Sequence, residues 1–196
     1  PISNLWYGIT YGNGLFVAVS APFAGNNAMT SSDGITWTSR SLPNGNIYRS
    51  VAYGTSTYVA VSSSGTGNRV ATSFNGTTWT ARTSAADNSW YGVTYGNGIF
   101  VAVSATTTNQ NVMTSSDGIT WTLRTGTTTN SWRSVTYGNG LFVAVANSGT
   151  GNRVMTSPDG ITWTLRTSAA DNTWYGVAYG DGKFVSVSSS GTGNRV

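Results

Sequence analysis

The chain has 196 residues, 38% hydrophobic and only 8% charged, with a formal charge of +4, no cysteine, no histidine and no glutamate. Disulfides and thiolate or imidazole metal sites are excluded. The positive charge is too small to argue for nucleic acid, and no apolar run approaches the ~20 residues of a membrane helix. What remains is one domain with an apolar core and a Ser/Thr/Asn/Gly surface, a composition that fits an extracellular or virion-surface location.

Residues 1–5 match the end of a repeat unit, and from Trp6 onward that unit recurs. Tyr-Gly pairs begin at Tyr11, Tyr53, Tyr95, Tyr137 and Tyr179, a spacing of 42 residues. Trp37, Trp79, Trp121 and Trp163 keep the same spacing, and each is followed by an arginine: Arg40, Arg82, Arg124 and Arg166. The units run over residues 6–47, 48–89, 90–131 and 132–173, with a partial fifth at 174–196. In the third, the strands are predicted as a (90–95), b (99–104), c (112–115) and d (119–124). Asn97-Gly98 and Asp117-Gly118 supply hairpin turns, because Asn, Asp and Gly tolerate positive φ. No 3.6-residue apolar period appears. Strand b, Phe-Val-Ala-Val, is apolar on both faces, which suits a sheet covered on both sides.

Four strands in 42 residues is the unit of a β-propeller. The fold expected is all-β: a five-bladed propeller of four-stranded blades, with the fifth blade incomplete. The inner strands are expected to close the ring. The fifth blade, lacking its outer strand, would leave an edge for pairing with another chain or with a continuation of this one.

The segments 31–37 (Ser-Ser-Asp-Gly-Ile-Thr-Trp), 115–121 and 157–163 resemble the Asp-box of sialidase-type (BNR) repeats, usually Ser-x-Asp-x-Gly-x-Thr-Trp. One residue is missing between Asp and Gly, and the second copy departs further, with Asn75 in place of Asp. The resemblance implies a structural role for Asp33, Asp117 and Asp159, whose side chains accept hydrogen bonds from their own turns, with the Trp packed over the hairpin. Five blades of this size are also similar in architecture to the tachylectin-type propeller lectins.

An enzyme is not expected. Glycoside hydrolysis generally needs two carboxyl groups flanking the bond. Here the only acids are Asp33, Asp87, Asp117, Asp159, Asp171 and Asp181, four of them in tight turns. Serines lack a histidine base, and metal hydrolysis lacks its usual ligands. The segment 147–153, rich in glycine, has neither the Lys nor the helix of a phosphate loop. No cofactor and no metal are expected.

The b–c and d–a loops vary between copies while the a–b and c–d turns are nearly constant, so recognition is expected on the b–c/d–a face. The arginines gather there with Asp87 and Asp171. Lys183 and the other aspartates fall on the opposite face, which makes the molecule electrically two-sided. Tryptophans open strand a on the arginine-rich face. The expected ligand site is therefore Arg69, Asp87, Asn88, Trp90, Trp132, Arg133, Arg153, Asp171, Asn172 and Trp174. Stacking planes beside directional polar groups suit surface glycans, bound weakly at several blades and strengthened by avidity. The alternatives are a structural or interaction domain of a larger surface or phage-fibre protein, or a reconstructed scaffold with no ligand.

Overall fold

The computed structural model describes residues 4–23 and 25–196. Alternating β-branched and aromatic residues, interrupted by Asn-Gly and Asp-Gly, build antiparallel sheets throughout. The first holds β1 (Trp6–Gly12), β2 (Leu15–Phe23), β3 (Asn26–Ser31) and β4 (Thr38–Arg40) in sequential order. The second repeats it with β5 (Tyr48–Gly54), β6 (Thr57–Ser62), β7 (Val70–Ser73) and β8 (Thr80–Arg82). The third has β9 (Ser89–Gly96), β10 (Ile99–Ala105), β11 (Val112–Ser115) and β12 (Thr122–Arg124). The fourth has β13 (Trp132–Gly138), β14 (Leu141–Ala146), β15 (Val154–Ser157) and β16 (Thr164–Arg166). The last sheet has two strands, β17 (Trp174–Gly180) and β18 (Lys183–Ser188). No described helix is long and apolar enough to cross a membrane.

Strand d is shorter than predicted. Asp117 Oδ1 accepts the N–H groups of Ile119 and Thr120 at 2.8 Å each, so neither can pair with strand c, and β12 starts at Thr122.

The core lies between sheets, as the doubly apolar strand b requires. Val17 and Val19 of the first sheet pack with Tyr48 and Val51 of the second. Val59 and Val61 pack with Trp90 and Val93, and Val101 and Val103 with Trp132 and Val135. Glycine permits the close approach of inner strands. A Cβ on Gly12, Gly54, Gly96 or Gly138 would stand 2.1 Å from the ring of Tyr53, Tyr95, Tyr137 or Tyr179 in the next sheet.

The inner strands curve about one axis, but the expected closure by five blades is not formed. The first and last sheets do not pack on one another. Val185 and Val187 are 46% and 49% exposed, whereas Val17, Val59 and Val101 at the equivalent position are fully buried. Ile9 and Tyr11, which would face a preceding blade, are 60% and 58% exposed. The described sheets therefore form an open arc. Residues 1–3 of the N-terminal tail lie outside the described residues. Leu5 pairs with the first sheet itself, its carbonyl accepting Ala21 N–H at 3.2 Å.

Candidate functional site

Of the residues expected to bind ligand, the tryptophans are buried and the polar members other than Arg133 brace the loops. Trp90 and Trp132 are completely buried and Trp174 nearly so, each packed against the preceding sheet. Trp90 Nε1 donates to Ala86 O and Trp174 Nε1 to Ala170 O, both at 3.1 Å. None can offer a face to a sugar. The sequence places these rings beside polar loops, but the need to cover strand b of the preceding sheet turns them inward.

The polar members brace the b–c loop against the d–a loop. Asn88 Nδ2 donates to Gln110 O, and Asn172 Nδ2 to Asn194 O, both at 2.6 Å. Asn46 and Asn130 make the same bond to Asn68 O and Asn152 O, so this clamp recurs in each copy. Asp87 accepts Gly67 N–H at 2.7 Å and lies 3.6 Å from Arg69 Nε, which also donates to Gly65 O. Asp171, Gly151 and Arg153 repeat the arrangement, with Arg153 also donating to Asn172 O at 2.8 Å. The strand-d arginines are pinned too: Arg40, Arg82, Arg124 and Arg166 donate through Nε to Thr30, Thr72, Thr114 and Thr156.

The exception is Arg133, and it belongs to a constellation the sequence reading missed. Tyr7, Arg49, Tyr91, Arg133 and Tyr175 line one open cavity of about 420 Å³. Each is the residue after the aromatic that opens strand a, and there the a–b register slips. The slips fall between Trp6 and Gly8, Tyr48 and Ser50, Trp132 and Ser134, and Trp174 and Gly176, with the third opposite Val103 and Ser104. A bulge leaves one residue unpaired and re-aims its side chain. Here every sheet's bulged residue turns toward the axis, at the mouth on the b–c/d–a face.

The side chains alternate around that mouth. The Arg49 guanidinium lies 4.1 Å from the Tyr7 ring centre and 5.3 Å from Tyr91. Arg133 lies 4.1 Å from Tyr91 and 5.8 Å from Tyr175. Such cation–π contacts orient the guanidinium planes. Arg49 Nε is further fixed by Ser63 Oγ at 3.0 Å. The fourth copy has Asn147 where the second has Ser63, and Arg133 Nε is left without a partner among the described residues. Among the described residues no carboxylate lines the cavity or pairs with Arg49 or Arg133, so its two cations are uncompensated.

The Asp-turns on the opposite face are self-contained. Ser31 Oγ donates to Asp33 Oδ1, which also accepts Ile35 and Thr36 N–H, while Trp37 Nε1 donates to Gly34 O at 3.1 Å. The pattern repeats at Asp117, Asp159 and, with an amide oxygen, Asn75. Backbone donors, Thr36 foremost and then Ile35, with Ser31 adding a side-chain bond, hold the Asp33 carboxyl down from 3.8 to about 2. Thr162 N–H does the most to hold Asp159 at about 2, and Asp117 is lowered, chiefly by Thr120 N–H. A carboxylate whose folded-state value is depressed adds stability above its unfolded value, and that stability is lost as pH falls through the folded one. Stability should therefore drop between pH ~4 and ~2. Replacing Asp33, Asp117 and Asp159 together by Asn, the residue the second copy already carries at Asn75, should flatten this limb. Urea unfolding near neutral pH and at about pH 2.5 measures it; an equal acid loss in the triple variant would remove these turns as the cause.

No protein family and no curated protein matches the chain, but solved β-propellers do. YCF48 from Cyanidioschyzon merolae aligns at 15% identity with a TM-score of 0.65, over 91% of this chain and 62% of that one. Virginiamycin B lyase from Staphylococcus aureus gives 16% identity and 0.74, over 88% and 59%. The nidogen/laminin complex gives 10% and 0.69, over 95% and 73%. The chain is thus a repeat β-propeller, and it spans about three-fifths of the length of the first two. The expectation that it is no enzyme is corrected here. Two of the propellers it resembles are lyases, so missing hydrolase residues do not exclude catalysis on this architecture.

Proposed function

We propose that this chain is a partner-binding propeller that takes an extended acidic peptide segment at the axial mouth. The observation that carries the reading is the pair of uncompensated guanidiniums, Arg49 and Arg133, set between tyrosine rings around one open cavity. A carboxylate entering there meets the guanidiniums of Arg49 and Arg133, and the rings of Tyr7 and Tyr175 cover the adjoining apolar stem. Charge-assisted bonds of this kind are the strong ones. YCF48 in a structure bound to D1 peptide, and nidogen in complex with laminin, are propellers of the same general fold with polypeptide partners. Glycan recognition loses its original basis, because Trp90, Trp132 and Trp174 are buried. The Asp-turns are read as a shortened Asp-box variant serving as scaffold.

The test is calorimetric titration with a glutamate-rich peptide at two salt concentrations. Binding should weaken with salt. Arg49→Gln with Arg133→Gln should cost roughly 10- to 100-fold, from about 1.5–3 kcal/mol for bonds to charged groups. Asp87→Asn, on the loop rim, should leave affinity unchanged. Undiminished binding by the double variant, or preferential capture of a sulfated glycan, would overturn the peptide reading.

A further inference from the structure

We infer that the axial mouth selects spacing as well as charge: it takes two carboxylates carried on alternate residues of an extended segment, the pattern acidic-x-acidic. This rests on the acidic-peptide reading above. It uses only Arg49, Tyr91 and Arg133, whose inner strands, in the second, third and fourth sheets, each have a neighbouring sheet on both sides.

The bulged residues repeat every second sheet. Tyr7, Tyr91 and Tyr175 are each followed by glycine, and Arg49 and Arg133 by serine. Packing enforces the alternation. A Cβ on Gly8 would stand 2.9 Å from Ser50 Cα, and one on Gly92 would stand 3.1 Å from Ser134 Cα. Ser50 Oγ in turn accepts the N–H of Val93, and Ser134 Oγ that of Val177, both at 3.2 Å. The Tyr-Gly strand of the third sheet is thus fitted between two Arg-Ser strands, bonded by one and packed flush on the other. The guanidiniums are held on alternate sheets, with a tyrosine ring between them.

That arrangement sets a distance. Arg49 Cζ lies 5.3 Å from the Tyr91 ring centre and Arg133 Cζ lies 4.1 Å from it, so the two cations are no more than 9.4 Å apart, the sum of those distances. Arg49 also rests on Tyr7 and Arg133 leans toward Tyr175, which draws them to opposite sides of Tyr91. In an extended chain each residue advances about 3.4 Å, and the side chains of residues i and i+2 leave from one face about 6.8 Å apart. Aspartates at i and i+2 therefore present two carboxylates within the span of the two guanidiniums. Residues i and i+1 point to opposite faces, so only one of them enters. Residues i and i+4 share a face but lie about 13.6 Å apart, beyond the limit. Each acid of the matched pair meets a cation whose plane a ring already orients, so little side-chain freedom is lost on binding.

Calorimetric titration tests this with three peptides of identical composition and charge, each carrying two aspartates among alanines and serines, spaced i,i+1, i,i+2 or i,i+4. The i,i+2 peptide should bind roughly fivefold more tightly than the others, the value of one further exposed charge pair. Arg49→Gln and Arg133→Gln, made singly, should each bring the three peptides to within about twofold of one another, because a single cation cannot register a second acid. Circular dichroism checks that both variants are folded. Equal affinities for the three peptides on the wild-type chain would overturn the spacing rule and leave the acidic-peptide reading standing. An i,i+2 preference that persists in either variant would overturn it as well. No binding by any of the three would remove the spacing rule together with the reading it rests on.

Discussion

Trp132→Ala should cost about 3–5 kcal/mol of folding stability, the usual price of emptying a buried aromatic site. The ring is completely buried against Val101, Val103 and Val112 of the preceding sheet. Nothing beside it can fill the space, since the sheets on both sides are fixed by their own ladders. Trp132→Phe should be milder than Trp90→Phe for a specific reason. Trp90 Nε1 bonds Ala86 O, but the equivalent carbonyl in the fourth copy, Thr128 O, is taken by Asn111 Nδ2 at 2.6 Å. The Trp132 indole N–H is already without a partner among the described residues, and Phe removes an unsatisfied donor. Chemical denaturation of the three variants reads these differences. If Trp132→Ala kept full stability but lost ligand affinity, the tryptophan would be a recognition residue and its place in the core would be secondary.

The repeat made most of the fold legible because its information is local. Strand limits, hairpin turns and the two-faced burial of strand b each depend on a few neighbouring residues. Even where the second copy replaces Asn-Gly by Thr55-Ser56, the turn persists, with φ of 46° and 60°. Closure was not legible. It depends on a small rotation at each seam, added over the arc, and no single residue encodes that sum.

The axial site was hidden for a different reason. Tyr7, Arg49, Tyr91, Arg133 and Tyr175 stand 42 residues apart, so their recurrence was visible. Strict two-residue alternation would assign faces from the tryptophan beside them, and a one-residue slip reverses that assignment. The bulge supplies the slip. The neighbouring tryptophans carry the stronger aromatic signal, yet they are the residues that turn into the core.

Gly96→Ala and Gly180→Ala form a matched pair that asks whether the seams or the strands themselves need glycine. The two glycines close the same a–b hairpin in different copies. At Gly96 an added Cβ would stand 2.1 Å from Tyr137 Cγ, and at Gly180 it would meet nothing. Tyr137 cannot retreat, because its ring is held 4.6 Å from Phe142. Either the ring leaves its rotamer or the third and fourth sheets separate, and both open the seam. Overpacking of this kind costs about 2–3 kcal/mol, roughly 5–10 °C in Tm for a domain of this size. Gly180→Ala should change stability by less than about 0.5 kcal/mol. Equal losses at both positions would mean that glycine serves the strand's own conformation. A loss confined to Gly96 makes the tyrosine-over-glycine contact the element that sets how closely successive blades approach.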